Sequence, residues 1–374
     1  MSEYQYYEFQ AIDRPLSEAD RQDLRALSTR ARITATSFNN YYEWGDFGGD
    51  PRKLVERWFD LHLYLANWGV RRLMVRLPKR LINRSPLNVF LGGVDWVEIW
   101  EQGENLIIDA YRDEAEQADS DWDDGSGWLA ALTPLRADVL AGDFRLFYLL
   151  WLTAVEDEVL GDDETEPLSG IGPLSGALEA FADFFRIDPD LVQAAAEGDQ
   201  GATMSSSAMG DVLAAIPEHE KTEFLSRLVE GDPHVAAELR ARVRTLHAVP
   251  PTGRRTVGEL RVRAAAIRRT RQLAEAERRE AEQRQKTEEA ERARRQRLDG
   301  VKRRGIDVWR DIEDEIERRN ASGYERAADL LFDLQAIAEE QGTLSDFICR
   351  LEAIRQRHAR KGRFIERLEG LGTR

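Results

Sequence analysis

The sequence contains one cysteine, Cys349, among 374 residues. A single cysteine excludes an intramolecular disulfide and a cysteine zinc cluster, and it is the usage expected in a reducing compartment. No apolar run approaches the roughly eighteen residues that a transmembrane helix requires, and the polar-aromatic residues 1–9 do not resemble a signal peptide. We therefore expect a cytoplasmic protein without a membrane partner.

The motifs of the common catalytic and cofactor sites are also missing. The five histidines have no metal-ligand spacing such as i, i+4, and neither Gly-x-Ser-x-Gly nor His-Glu-x-x-His occurs. Gly170 and Gly172 precede Pro173 between two helical segments, so they do not form a dinucleotide loop. We predict no cofactor and no metal, and we favour a binding protein over an enzyme. A catalytic site assembled from dispersed Asp, Glu and His residues stays an open alternative.

No proline occurs after Pro251, and no side chain between Ala274 and Arg297 is more apolar than alanine. Ala, Glu, Arg, Gln and Lys are strong helix formers, so residues 256–300 are predicted to form a charged helix about 65 Å long. Acid-to-base pairs at i, i+4 would each add roughly 0.2–0.5 kcal/mol. An apolar heptad that starts at Leu260 ends after two repeats. The helix is therefore a solvated spacer or, alternatively, a weak coiled coil with another chain.

Charge is distributed unevenly along the chain. The formal net charge is −16, but the residues from Pro250 onward hold 30 Lys and Arg against 24 Asp and Glu, a net of +6, and the preceding 249 residues carry −22. We expect the two ends to attract each other within or between molecules; the alternative is that the basic end binds nucleic acid or an acidic protein. The candidate partner-binding cations are Arg268, Arg269, Arg271, Arg355, Arg357, Arg360, Lys361 and Arg363.

Residues 1–114 are predicted to form a small α/β sandwich. The predicted elements are strands at 4–12, 32–38, 70–77, 94–100 and 105–111 and helices at 17–30 and 50–66. Ser17 is the predicted cap of the first helix, and residues 101–104 are predicted to join the last two strands in a hairpin. Proline directly after Asp50 is a strong start signal for the second helix. His62 is then interpreted as a packing or boundary residue of that helix.

The rest of the chain is predicted to be helical. Apolar residues at helical spacing indicate a helical domain over 128–249, and residues 256–374 are predicted to form the charged helix followed by a helical hairpin that turns at Gly342. An acidic linker before residue 128 and the linker at 250–253 separate the three domains. The predicted fold class is α+β, predominantly helical.

Five tryptophans fall in the first domain. They are Trp44, Trp58, Trp68, Trp96 and Trp100. The sequence favours packing in the core for this group. For Trp44, which lies in a glycine-rich loop, the alternative is an exposed anchor for a protein partner, because aromatic anchors dominate interface energetics.

Several segments together carry a family resemblance. They are Tyr4–Ser17, Leu65–Gly69, Leu135–Asp138, Gly142–Leu149 and Arg357–Lys361. With them the chain resembles, nearly end to end, an uncharacterised family of bacterial cytoplasmic proteins. The resemblance implies a bacterial cytoplasmic origin and carries over no functional residue.

The sequence as a whole predicts a non-enzymatic adaptor or scaffold that holds protein partners through domains joined by the charged helix. Oligomerisation through that helix is a further option. The alternative is a nucleic-acid-associated subunit, of a defence or processing complex, that uses the basic C-terminal third.

Overall fold

The structure is a computed structural model that describes residues 3–82, 84–113, 123–197, 206–246 and 253–372. Its contacts divide the chain into two compact units, Met1–Arg271 (unit 1) and Gln272–Arg374 (unit 2). The described residues form fifteen α-helices and one seven-stranded antiparallel sheet, so the predicted α+β, mostly helical class is confirmed. No helix in these ranges has the length and apolarity to span a bilayer.

The sheet belongs to unit 1 and has the strand order β2-β3-β1-β4-β5-β7-β6. Its strands are β1 (Gln5–Gln10), β2 (Arg32–Ile33), β3 (Ser37–Tyr42), β4 (Leu61–Ala66), β5 (Val70–Pro78), β6 (Val97–Gln102) and β7 (Asn105–Asp113). All the pairings are antiparallel, and β6 and β7 form the predicted hairpin. The predicted strand over 32–38 divides into β2 and the start of β3.

The prediction of one helix from Asp50 to Ala66 is wrong. Asp50 caps the short helix Pro51–Arg57 as expected, but the following residues form β4 at the centre of the sheet, between β1 and β5. Both faces of β4 are largely buried, so the alternation of His62 and Tyr64 with leucines does not mark an exposed face. Leu61 and Leu65 also fit the spacing of a helix, and a short run of this kind is compatible with both elements.

Ten helices lie wholly in unit 1. They are α1 (Glu18–Leu27), α2 (Pro51–Arg57), α3 (Asn88–Leu91), α4 (Trp128–Leu140), α5 (Arg145–Glu156), α6 (Gly176–Phe184), α7 (Pro189–Ala196), α8 (Ser206–Ala215), α9 (Glu218–Val229) and α10 (Val235–Leu246). One sheet face packs against α1 and α2 around Phe9, Phe38 and Phe59. The other face shares one continuous core with α4 to α7, in which α5 is buried from Leu146 to Val155.

The sheet and the helices that share this core belong to one unit. The sequence had predicted two separate domains for them, at 1–114 and 128–249. Leu63 and Leu73 of the sheet belong to the same apolar cluster as Phe147 and Phe181 of the helices. The sheet would expose an apolar face without these helices, and burial of apolar area therefore holds the two segments together. Residues 114–122 of the first predicted linker and 250–252 of the second lie outside the described ranges.

Unit 2 is helical. It contains the end of α11 (Val257–Arg304), then α12 (Asp307–Glu317), α13 (Ala321–Gln341), α14 (Leu344–Arg357) and α15 (Gly362–Arg367). Gly342 ends α13 in the left-handed conformation, with φ of 71°, at the predicted turn of the hairpin. Ile312, Leu331 and Phe364 are fully buried at the centre of the unit 2 core.

Candidate interaction surface

Several arginines at the start of α11 bind carboxylates of unit 1. Arg268 Nε lies 3.0 Å from Asp190 Oδ2, and Arg271 Nη2 lies 2.8 Å from the same oxygen. The Asp190 side chain is almost completely buried, and the hydrogen bond from Arg271 is the largest of the effects that lower its pKa. Arg268 also contacts Asp188, the cap of α7. These two candidate partner-binding cations therefore fasten α11 to α7.

The neighbouring arginines have the same role. Arg255 pairs with Glu166 at 2.9 Å, Arg261 with Asp162 at 2.5 Å, and Arg263 with Glu197 at 2.6 Å. Arg269 is exposed, and no carboxylate of the described residues lies within ion-pair distance of it. The attraction between acidic and basic segments that the composition predicts is thus present inside unit 1. Of the three candidate cations at the start of α11, Arg268 and Arg271 take part in these ion pairs.

The C-terminal candidates also have partners within their own unit. Arg355 donates hydrogen bonds to the carbonyls of Leu368 and Leu371. The other two paired cations contact acids of α12. These contacts are Arg357 with Glu313 at 2.5 Å and Lys361 with Glu317 at 2.8 Å. Arg360 and Arg363 remain exposed, without an acidic partner in the part of unit 2 that the structure describes.

Trp44 is the candidate aromatic residue that the structure leaves accessible. Its side chain is 69% exposed, whereas Trp58, which belongs to the core around Phe9, is 7% exposed. The guanidinium carbon of Arg30 lies 5.2 Å from the centre of the Trp44 ring. Packing in the core therefore explains Trp58 but not Trp44.

The loop that carries Trp44 is fixed to the sheet by the three residues that follow Trp44. The side-chain amide of Gln5 donates hydrogen bonds to the carbonyl of Gly45 and to Oδ1 of Asp46, at 3.2 and 3.0 Å. The Phe47 ring is buried 5.2 Å from that of Tyr7. A fixed loop presents an exposed indole with little conformational entropy left to lose on binding.

Beside this loop, four residues form a straight line across β1, β4, β5 and β7. Tyr7 pairs with Tyr64, Tyr64 with Arg72, and Arg72 with Tyr111. We call this set the tyrosine row. Exposure increases along it, from a buried Tyr7 to a Tyr111 that is 42% exposed. The row lies on the same sheet face as Phe9, beyond the area that α1 and α2 cover.

Buried polar contacts hold the tyrosine row in place. The hydroxyls of Tyr7 and Tyr64 both donate to Oε1 of Gln5, at 2.7 and 3.2 Å. Burial raises the pKa of Tyr7 to about 12, so its hydroxyl remains a donor at neutral pH. Arg72 makes two hydrogen bonds to the buried carboxylate of Asp109, at 2.8 and 2.7 Å, and lies 5.4 Å from the Tyr111 ring centre. The row is therefore rigid before any partner arrives.

His62 lies in β4, two residues before Tyr64. The sequence had predicted a helix at this position. Its Nδ1 is 3.0 Å from the carbonyl of Glu8, and its ring stacks on Phe9 at 4.0 Å. Burial lowers the pKa of His62 to about 3, so the ring is neutral. Within the described ranges no group of three His, Cys, Asp or Glu residues is arranged to hold a metal ion. His62 is a core residue.

Sequence reasoning did not find the tyrosine row. Its members come from four strands, of which only β4 and β5 are neighbours in the chain, and the prediction of a helix at β4 placed Tyr64 in the wrong element. A signal for a strand was present, because Tyr64 and His62 alternate with Leu61, Leu63 and Leu65.

Comparison with protein families, with curated proteins and with solved structures finds no match to this chain.

Proposed function

We propose that the protein is a non-enzymatic adaptor that holds protein partners through separate surfaces on its two units, and that Trp44 anchors the partner of unit 1. The observation that carries this proposal is the exposure of the Trp44 indole on a loop fixed by Gln5 and Phe47. Burial of this exposed indole in an interface would contribute favourable free energy to binding.

The tyrosine row, which belongs to the same unit as Trp44, supports a protein partner. Tyr64, Arg72 and Tyr111 lie on one sheet face, and Tyr and Arg, together with Trp, are the residue types that contribute most to binding energy at interfaces. Internal hydrogen bonds already fix Tyr64 and Arg72, so binding would order few side chains.

The charge of unit 1 favours a basic partner. Unit 1 contains 30 Lys and Arg against 46 Asp and Glu, whereas unit 2 contains 23 of each. The whole net charge of −16 is therefore located in unit 1. Such a field accelerates association with a positively charged surface, and salt weakens the effect.

The exposed part of α11 supports an adaptor with two units. Val257 and Leu260 near the start of the helix are buried in unit 1, and Leu298 and Val301 near its end are buried in unit 2. Every residue from 268 to 297 is exposed. A helix without an apolar face over this length adds nothing to either core, which suits a connection between binding units.

The test is a comparison of Trp44→Ala with Tyr41→Ala. Tyr41 is another exposed aromatic residue. It lies next to Tyr4, on the sheet face opposite to the tyrosine row. Tagged full-length proteins would be used to capture partners from a nuclease-treated lysate of the native host. We expect Trp44→Ala to lose partners that the wild type and Tyr41→Ala retain. Identical partners for all three proteins would contradict the role of Trp44.

A nucleic-acid-associated subunit is the second candidate, and the exposure of Arg269, Arg360 and Arg363 is the observation that favours it. If these residues bind phosphates, the affinity for single-stranded DNA should fall steeply as salt increases, because each phosphate contact releases counterions. Replacing all three by glutamine should reduce the slope. A flat salt response in the wild type would remove this candidate.

A further inference from the structure

Unit 2 contains an open groove of about 660 Å³ between the end of α11, α12 and α13. Each helix lines it with residues at i, i+3, i+4 and i+7. These stripes run from Arg297 to Arg304 on α11, from Asp311 to Arg318 on α12 and from Arg326 to Asp333 on α13. Residues at this spacing lie on one helix face over two turns. Three helix faces around a common space form the kind of groove into which a further helix packs.

Gly300 is the residue that gives the α11 side of the groove its shape. It lies in the interior of a helix, where glycine is the least favourable residue apart from proline. A Cβ atom placed on Gly300 would meet no atom within 4 Å in the described structure. The packing of unit 2 therefore does not require glycine at this position. The missing side chain does allow another backbone to approach α11 closely.

The arginines of the groove are already paired. Arg297 lies 2.6 Å from Asp333, and Arg318 and Arg326 lie 3.1 and 3.5 Å from Glu315. Arg304 also contacts a groove acid, Asp311. The two charges within each pair cancel, so the unpaired acids determine the charge that the groove presents.

Two of the remaining acids are Asp314 and Asp329. Both are exposed, and no cation in the described part of the chain lies within ion-pair distance of either. The groove thus presents negative charge from α12 and α13.

Its apolar contacts come from Val301, which is buried, and Leu330, which is partly buried. Nine of the twelve lining residues are charged, whereas small-molecule pockets are predominantly apolar. We infer that this groove binds a short amphipathic α-helix of a protein partner, with an apolar stripe against Val301 and Leu330 and Lys or Arg side chains at Asp314 and Asp329. The surface lies on unit 2, and the inference is independent of Trp44.

The probe is a short fluorescent peptide of Leu and Lys that is amphipathic as a helix, and a Leu and Glu peptide of the same pattern is its control. Fluorescence anisotropy would measure both against the full-length protein. We expect only the Lys peptide to bind. Gly300→Leu fills the groove and should weaken that binding by about tenfold or more. The same substitution should raise the melting temperature, because leucine is the better helix former, so unfolding would not explain the loss.

A charge control is needed because unit 1 is acidic. The double variant Asp314→Asn, Asp329→Asn should weaken binding of the Lys peptide. Glu223→Gln, Glu230→Gln removes the same charge from exposed positions on α9 and directly after it and should not weaken it. Equal binding by all variants, or equal binding of the two peptides, would overturn the inference. So would a decrease in the sedimenting mass of the protein on Gly300→Leu, because a second copy would then be the occupant.

Discussion

The guanidinium of Arg255 lies 2.9 Å from Oε2 of Glu166, a carboxylate that has no solvent exposure. The hydroxyl of Tyr148 donates to the same oxygen at 2.5 Å. Arg255 lies two residues before α11, which begins at Val257. The start of the longest helix in the chain is therefore attached to unit 1 through a charge pair with one buried partner.

Arg255→Ala should lower the free energy of unfolding by about 3–5 kcal/mol, because Glu166 would remain buried without its cation. Arg254→Ala is the matched control at the exposed neighbouring position, and it should change the stability by less than about 0.5 kcal/mol. Urea unfolding followed by tryptophan fluorescence measures both values. If the two variants were equally stable, the pair with Glu166 would not anchor the helix.

His62 should make the protein less stable as the pH falls from about 6.5 to about 3. Its pKa is about 3 in the folded state and about 6.5 in an unfolded chain. Between these values the unfolded state binds more protons, so stability decreases on acidification, by up to about 4–5 kcal/mol. His62→Leu should flatten this part of the curve, and the exposed His219→Leu should not. The same pH slope in His62→Leu and the wild type would contradict the prediction.

Trp44→Ala and Trp58→Ala should differ strongly in stability. Trp58 is buried beside Phe9, and its removal should cost about 3–5 kcal/mol. Trp44 has a ring contact with Arg30 at the surface, so its removal should cost less than about 1 kcal/mol. Thermal unfolding of the two variants gives the comparison. A large loss of stability in Trp44→Ala would assign that residue to packing and remove it as an anchor.

Deletion of Glu280–Lys286 should leave both units as stable as in the wild type. These seven residues make about two helical turns, and all of them are exposed. The proposed adaptor would nevertheless engage its two partners together less well, because the connection is shorter. The control replaces the same residues with an Ala, Glu and Lys sequence of equal length. Undiminished simultaneous binding by the deletion variant, measured by co-capture, would count against the adaptor.

The predictions that held are those that depend on neighbouring residues. Ser17 caps α1 and shares a reciprocal pair of hydrogen bonds with Asp20, Asp50 caps α2, and Gly342 ends α13. The charged helix predicted at 256–300 occupies Val257–Arg304. Caps, helix propensity and i, i+4 pairs act within one or two turns, so the sequence contains all the information they need.

The sequence by itself determined the helix caps at Ser17, Asp50 and Gly342, the charged helix, the hairpin of β6 and β7 and the asymmetry of charge. Only the tertiary structure decided that β4 is a strand, because its neighbour β1 comes from a distant part of the chain. It also decided that Arg268 and Arg271 bind Asp190 while Trp44 stays exposed. Burial and ion pairing depend on residues far apart in sequence, and their pairing is fixed when the chain folds.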